Sequence, residues 1–228
     1  MASSEKTVNG VPLKDILKEF VDDNDAVQRI AHRKVPAPAI AIVEPDPQWP
    51  AHFQTFKARI LAAFDKPLAG KDEDPNDDKV TILAINHVGS TSIPGLPAKP
   101  VIDIDLVLSS NTLPSEPLYV PRLESAGFQF LLREPGWHEH RFFAAWEPMS
   151  CNLHVWGPLC PEVERHRVFR DYLLTHEDDR KLYERTKRES AAVTVERGEK
   201  VVEYNLRKQE VLREILARAF GDLGYLDV

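Results

Sequence analysis

The architecture follows from one stretch, His87-Val-Gly-Ser-Thr-Ser-Ile-Pro-Gly-Leu-Pro-Ala-Lys-Pro-Val-Ile-Asp-Ile-Asp-Leu106, in which a Gly-Ser turn precedes an Asp-x-Asp couplet. The couplet, Asp103 and Asp105, lies inside an apolar run, residues 101–108. Residues two apart in a strand share one face. Two carboxylates on one face of a buried strand repel each other and are costly to desolvate. The pair therefore predicts a bound cation, and Mg²⁺ (or Mn²⁺) is the first candidate because hard cations take oxygen ligands.

The residues after the preceding strand form a candidate phosphate-binding turn. Gly89 permits a tight bend or a close approach to a ligand. Ser90, Thr91 and Ser92 add hydroxyl and backbone N–H groups, and Lys99 adds a point charge. A phosphate cradle beside two carboxylates suits phosphoryl transfer, because metal ions bridge carboxylates and phosphate oxygens. The alternatives are structural: the serines cap a helix, the lysine is a solvated loop residue, and the aspartates pair with arginines.

Composition excludes several classes of protein. The net charge of −7 lacks the basic footprint of a nucleic-acid binder. No apolar run approaches the roughly 20 residues that cross a bilayer, and the N-terminus lacks a signal-peptide pattern. Two cysteines, Cys151 and Cys160, provide neither a disulfide framework nor a zinc set. We therefore expect a cytoplasmic protein that binds neither nucleic acid nor a membrane.

Hydrophobic periodicity predicts a mixture of strands and helices. Strands are expected at residues 39–43, 80–88, 101–108 and 128–132, followed by a hairpin with arms at 141–146 and 152–156. Helices are expected at residues 13–21, after an N-cap at Asp46, and at 121–127, where Gly127 ends the helix. Three more are expected at residues 162–175, 177–195 and 199–220, and Gly221 is expected to stop the last one.

This pattern predicts an α+β fold in three parts. Residues 1–38 form an N-terminal extension with an amphipathic helix, residues 39–160 form an α+β core, and residues 161–228 form helices that pack on it. The acidic stretch at residues 71–79 is either a metal loop or a solvated surface insertion, and the second is favoured because it lacks the Gly and Glu of a calcium-binding loop.

Three separated motifs resemble a known family. They are Ile42-Val-Glu-Pro-Asp-Pro-Gln-Trp-Pro50, the stretch from His87 to Leu106, and Asn152-Leu-His-Val155 with Glu164-Arg-His-Arg-Val-Phe-Arg-Asp-Tyr-Leu173. The Gly-Ser and Asp-x-Asp elements resemble the signature of the DNA polymerase β nucleotidyltransferase superfamily. More closely, the chain resembles the GrpB-like (UPF0157) proteins over about residues 38 to 192. The resemblance implies a nucleotidyltransferase-type mixed sheet with flanking helices.

The resemblance also assigns roles to residues. Superfamily members carry a third carboxylate on a later strand, but His154 stands in that place here, as a metal ligand or a general base. Glu139 is a rival third carboxylate. Arg141, Arg170 and Lys187 fall where the resemblance implies phosphate contact, although helix-face charges are usually only solvated.

Three functions remain open. The first is a metal-dependent nucleotidyltransferase that uses a nucleoside triphosphate, with ATP as the first candidate, to modify or activate a small-molecule acceptor. An adenylate-forming ligase is one form of this activity. The second is a nucleotide-binding or sensing module without turnover, since the third carboxylate is replaced. The third is an interaction protein whose N-terminal helix docks on a partner. Residues Trp137, Trp146 and Trp156 either stack on a nucleobase or pack in the core.

Overall fold

A computed structural model describes residues 6–18, 27–66 and 79–226. Its centre is a six-stranded sheet that follows a small N-terminal hairpin. The hairpin consists of β1 (Thr7–Val8) and β2 (Val11–Pro12). The strands of the sheet are β3 (Gln28–Arg29), β4 (Ile82–Val88), β5 (Ile102–Leu108), β6 (Gln129–Glu134), β7 (His140–Ala145) and β8 (Cys151–Trp156).

The strand order in this sheet is β3-β6-β7-β8-β5-β4. The β5–β8 pair is parallel and every other pair is antiparallel, so the sheet is mixed. The helices are α1 (Leu13–Leu17), α2 (Trp49–Phe64), α3 (Glu116–Ser125), α4 (Pro161–Thr175), α5 (Glu177–Glu196) and α6 (Val201–Asp222). The α+β class, the hairpin of β7 and β8 and the three C-terminal helices are therefore confirmed.

One face of the sheet carries the main core. Ile104 and Leu106 of β5 are fully buried and pack in one cluster with Phe56 and Ile60 of α2 and Tyr119 of α3. Burial of each large apolar side chain contributes about 1.5–3 kcal/mol. Because side chains alternate along a strand, the aspartates of β5 point to the opposite face.

The N-terminal residues do not form a separate extension. Val11 and Ile16 pack in a cluster with Val168 of α4 and Phe220 of α6. The predicted helix at residues 13–21 is present as α1, and its remainder beyond residue 18 lies outside the described residues. β3 adds to the sheet beside β6, so residues 28–29 of the predicted extension pair with the sheet of the predicted core. Most of the acidic stretch at residues 71–79 also lies outside the described residues.

Three local predictions were wrong. Residues 39–43 form no strand, and Val43 makes only an isolated bridge to Ala98, since the neighbouring prolines supply no N–H for a ladder. Asp46 is not the N-cap of α2, because the N-cap residue is Gln48. The side chain of Asp46 instead accepts the Gln48 N–H at 2.8 Å. Helix α3 begins at Glu116 rather than at 121.

Helix α6 continues through the predicted stop at Gly221 to Asp222, because burial of the preceding turn against α4 outweighs the weak helix propensity of glycine. Within residues 6–18, 27–66 and 79–226, no helix combines the length and apolar character needed to cross a bilayer.

Candidate functional site

The face opposite the core is polar and brings the predicted couplet together with β8. Parallel pairing places Asp103 beside Asn152 and Asp105 beside His154. Asn152 Nδ2 donates to Asp103 Oδ1 at 2.8 Å. Helices α4, α5 and α6 supply further side chains to this region, so the candidate site is a cleft between the sheet and the C-terminal helices.

The turn after β4 lies against Asp103. Gly89 adopts φ +68° and ψ −170°, and a Cβ built there would lie 2.5 Å from Asp103 Oδ2. This close approach requires glycine. Burial raises the pKa of Tyr183 of α5, although the side chain of Ser90, which lies beside that tyrosine, lowers it. The next two hydroxyls bond within the turn: Thr91 donates to the Val101 carbonyl at 3.0 Å, and Ser92 donates to the Gly89 carbonyl at 2.6 Å.

Several cations surround Asp103. Lys99 Nζ lies 5.0 Å and Lys208 Nζ 4.7 Å from the centre of the same Tyr204 ring. Burial lowers the pKa of Lys208 to about 8, with a small opposing effect of Asp103. Burial and the charge of Lys208 lower the pKa of Lys99. Arg33 also acts on Lys99, and its Nη2 donates to Asn152 Oδ1 at 3.0 Å. This part of the cleft is therefore electropositive.

Asp105 is fully buried and has two N–H partners. Trp156 Nε1 donates to its Oδ1 at 2.9 Å, and His166 Nδ1 donates to its Oδ2 at 2.8 Å. Burial alone would raise the pKa of Asp105, but the charge and hydrogen bond of His166 outweigh burial and lower it. Burial alone would lower the pKa of His166, but the neighbouring Asp105 raises this pKa to about 9. The two residues form an ion pair at neutral pH.

His154 belongs to a second chain of hydrogen bonds. His140 Nε2 lies 3.0 Å from His154 Nδ1, and His140 Nδ1 lies 2.6 Å from Glu134 Oε2. Burial lowers the pKa of His154 to about 4, with His140 adding to the effect. Burial also lowers the pKa of His140 to about 3. Both rings are therefore neutral at pH 7.

Burial raises the pKa of Glu134, and in its ionised form this carboxylate determines the tautomers along the chain of hydrogen bonds. His140 must then donate from Nδ1 and accept at Nε2, so His154 donates from Nδ1. The lone pair of His154 is thus on Nε2, which bonds to no residue in the described ranges.

Two residues that were predicted to bind phosphate make contacts within the protein in this conformation. Lys187 is 1% exposed, and its Nζ donates to the Pro97 carbonyl at 2.6 Å. Burial, with the nearby Lys208, lowers the pKa of Lys187 to about 7. Arg170 donates to the His87 carbonyl at 3.3 Å and pairs with Asp171 at 2.7 Å. Both contacts anchor helices to the loops of the sheet.

The structure does not bring Arg141 or Glu139 to the couplet. Arg141 pairs with Val155, a residue of the apolar core, so it lies on the opposite face from Asp105. Its guanidinium donates to Glu116 at 2.9 Å and to Glu139 at 2.7 Å. Arg133 also pairs with Glu116, and this network joins α3 to the sheet. The predicted phosphate contact of Arg141 is corrected, because strand alternation directs it away from the cleft.

The residues present do not fit the predicted two-aspartate metal site. In the described ranges, no group of three or more His, Cys, Asp or Glu side chains could hold a metal ion. Asp105 also uses both oxygens for N–H donors without solvent access. Binding of Mg²⁺ or Mn²⁺ stays a prediction.

Sequence reasoning missed several residues of this cleft. They are Arg33, Asn152, His166, Tyr183, Tyr204 and Lys208. A signal existed for His166 and Asn152, which lie in motifs that carry the family resemblance. Lys208 had none, because it is one of many charges on a long helix.

Comparison with known proteins identifies the family. The profile described as GrpB protein matches residues 39–218. The chain is 34% identical over 210 residues to a UPF0157 protein of Halalkalibacterium halodurans, which covers 91% of this chain and 97% of that protein. It is 32% identical over 180 residues to a UPF0157 protein of Streptomyces coelicolor, covering 79% and 84% of the two chains.

A solved structure shows the same fold. The crystal structure of a GrpB protein from Enterococcus faecalis superposes with a TM-score of 0.62 at 22% identity, covering 81% of this chain and 99% of that one. With the profile match and the relatives above, this chain belongs to the GrpB (UPF0157) family.

Proposed function

We propose that this protein is a nucleotidyltransferase-like enzyme that binds a nucleoside triphosphate, with ATP as the first candidate, and uses it to modify or activate a small-molecule acceptor. The supporting observation is the turn at Gly89, which lies directly against Asp103, a carboxylate whose charge acts on two half-buried lysines, Lys99 and Lys208. The glycine permits close approach of a backbone to a ligand, and the lysines supply the charge that phosphates need.

The two lysines support a polyanionic ligand. Lys99 and Lys208 approach one Tyr204 ring, and neither forms a salt bridge in the part of the chain that the structure describes. Like charges held together in a partly buried site repel each other. A triphosphate would relieve this repulsion, whereas a neutral ligand would not.

His154 is the candidate general base of this proposal because its Nε2 lone pair is free at pH 7, although its pKa of about 4 makes it a weak base. An acceptor hydroxyl, amine or carboxylic acid would lose its proton to Nε2 while its oxygen or nitrogen forms a bond to the α-phosphorus. The bond from the α-phosphorus to the bridging oxygen breaks, and pyrophosphate leaves. His140 and Glu134 hold the tautomer that keeps the Nε2 lone pair available. An adenylated carboxylate could pass to an amine, which would make the enzyme a ligase.

Calorimetric titration with ATP and with inorganic tripolyphosphate tests the binding step. Lys208→Ala should raise the dissociation constant about tenfold or more, since one charge-assisted contact contributes about 1.5–3 kcal/mol. The matched control is Lys181→Ala, which removes a helix lysine whose side chain is 66% exposed. No binding of either compound to the wild-type protein, with or without Mg²⁺, would refute the proposal.

One observation favours a second candidate, a nucleotide-binding module without turnover. Asp105 is closed by His166 and Trp156, so the couplet does not offer two open carboxylates. Release of pyrophosphate from labelled ATP in the presence of metabolite pools discriminates the two candidates. Release that is lost in His154→Ala supports the enzyme, and ATP binding without any release supports the module.

A further inference from the structure

The segment from Gln28 to Lys34, which we call the edge strap, is held firmly along the outside of the sheet. β3 pairs with β6, and the Ile30 N–H donates to the Leu131 carbonyl at 2.8 Å. The side chain of Gln129 holds the end of the edge strap by two hydrogen bonds. Its Nε2 donates to the His32 carbonyl, and its Oε1 accepts the Lys34 N–H. The backbone on both sides of residue 33 is therefore anchored.

From this strap, Arg33 reaches across the polar face. Its guanidinium lies 5.6 Å from the ring centre of Phe142 on β7 and donates to Asn152 on β8 at 3.0 Å. The same Asn152 side chain donates to Asp103. A residue outside the matched family region, which begins at residue 39, thus enters the candidate site.

The guanidinium is only partly satisfied there. Arginine has five N–H donors, and only Nη2 of Arg33 bonds to a residue in the described ranges. Arg33 forms no salt bridge with the described residues either. Its positive charge acts on the nearby Lys99. An arginine that is half-buried beside other cations is suited to a bidentate oxyanion.

We propose that Arg33 is a ligand-binding residue, which holds an oxyanion of the bound ligand on the β8 side of Asp103. The inference rests on the proposed function. Two sources of the oxyanion are possible: a phosphate of the nucleotide or a carboxylate of the acceptor. The Gly89 turn follows β4, which is two strands, or about 10 Å, from β8. This separation favours the acceptor carboxylate.

Three variants and three anions test the inference by calorimetry. The variants are Arg33→Ala, Arg33→Lys and the matched control Arg29→Ala, which removes an exposed arginine of the same strap. The anions are ATP, inorganic tripolyphosphate and citrate. Arg33→Ala should raise the dissociation constant of at least one anion about tenfold to a hundredfold. Arg33→Lys should recover only part of the loss, because lysine lacks the planar fork.

The outcomes distinguish the two sources of the oxyanion. They also distinguish failure of this inference from failure of the proposed function. A loss confined to citrate assigns the oxyanion to a carboxylate, and a loss for ATP and tripolyphosphate assigns it to phosphate. If Arg33→Ala matches the wild type for every anion that the wild type binds, or if Arg29→Ala shows the same loss, the inference fails alone. If the wild type binds none of the anions, the proposed function fails and the inference fails with it. Thermal unfolding of each variant verifies that it is folded.

Discussion

The contact between Gly89 and Asp103 makes a strong prediction for Gly89→Ala. The backbone at φ +68° and ψ −170° lies in a region that only glycine adopts readily, and forcing another residue there costs about 1–3 kcal/mol. The new Cβ would also lie 2.5 Å from Asp103 Oδ2 and 3.2 Å from its Cβ. Asp103 cannot simply turn away, because its other oxygen accepts the Asn152 amide.

The overlap adds to the backbone cost. Overpacking at a constrained site costs about 1–3 kcal/mol, so Gly89→Ala should lower the free energy of unfolding by about 2–6 kcal/mol. For a chain of this size, each kcal/mol corresponds to about 2–4 °C in melting temperature. We therefore expect a fall of at least about 4 °C.

Urea and thermal unfolding measure this effect, and two comparisons separate its parts. Gly95→Ala is the matched control, because Gly95 has φ +75° but a Cβ there would meet nothing within 4 Å. It should show only the backbone cost. In an Asp103→Ala background, Gly89→Ala should lose less stability than in the wild type, because Oδ2 is absent. Equal losses for Gly89→Ala and Gly95→Ala, with no coupling to Asp103, would refute the reasoning.

Three further predictions concern buried charges. His166→Ala should lower the free energy of unfolding by about 3 kcal/mol at pH 7, because it leaves Asp105 charged and buried. Two histidines should contribute to stability with opposite pH dependence: the raised pKa of His166 means that its contribution is lost as pH rises from about 6.5 through 9, and the lowered pKa of His154 means that its contribution is lost as pH falls from about 6.5 through 4. Arg141→Met should destabilise the protein by less than the about 3–5 kcal/mol that a fully unpaired buried charge costs, since Glu116 keeps its pair with Arg133, and should leave ATP affinity unchanged.

Each of these predictions has a control. Asp105→Asn in the His166→Ala background should recover stability, and no recovery would contradict the ion pair. Melting temperature measured from pH 5 to 9.5 gives the pH profile. The difference between the wild type and His166→Gln should shrink as pH rises from 6.5 to 9, and the wild type should lose stability relative to His154→Gln as pH falls from 6.5 to 5. Differences that do not change with pH would contradict the assignment. A loss of ATP affinity in a folded Arg141→Met would show that Arg141 acts on the cleft after all.

Local sequence patterns predicted most elements, and the failures have physical causes. The apolar alternation of β5 and the helical periods of α4, α5 and α6 are properties of short segments, so they could be read directly. Residues 39–43 looked equally apolar but formed no strand, because a strand needs a neighbouring strand within hydrogen-bonding distance, and this segment meets another one at a single bridge, Val43 to Ala98.

The candidate site was also predictable from the sequence only in part. The sequence by itself determined that Gly89 precedes a couplet, and that Asp103 and Asp105 share a face, because a strand repeats every two residues. The same rule, with the register of β7, directs Arg141 to the other face, but the register was not visible in the sequence.

Only the tertiary structure decided the partners. It joined Asp105 to His166, 61 positions later, and brought Arg33 and Lys208 to Asp103 from the two ends of the chain. Such contacts arise from strand register and helix packing over long sequence separations, and no local pattern encodes them. Residue types therefore predicted a phosphate-binding site, whereas the packing determined which charged groups lie beside Asp103 and which are paired within the protein.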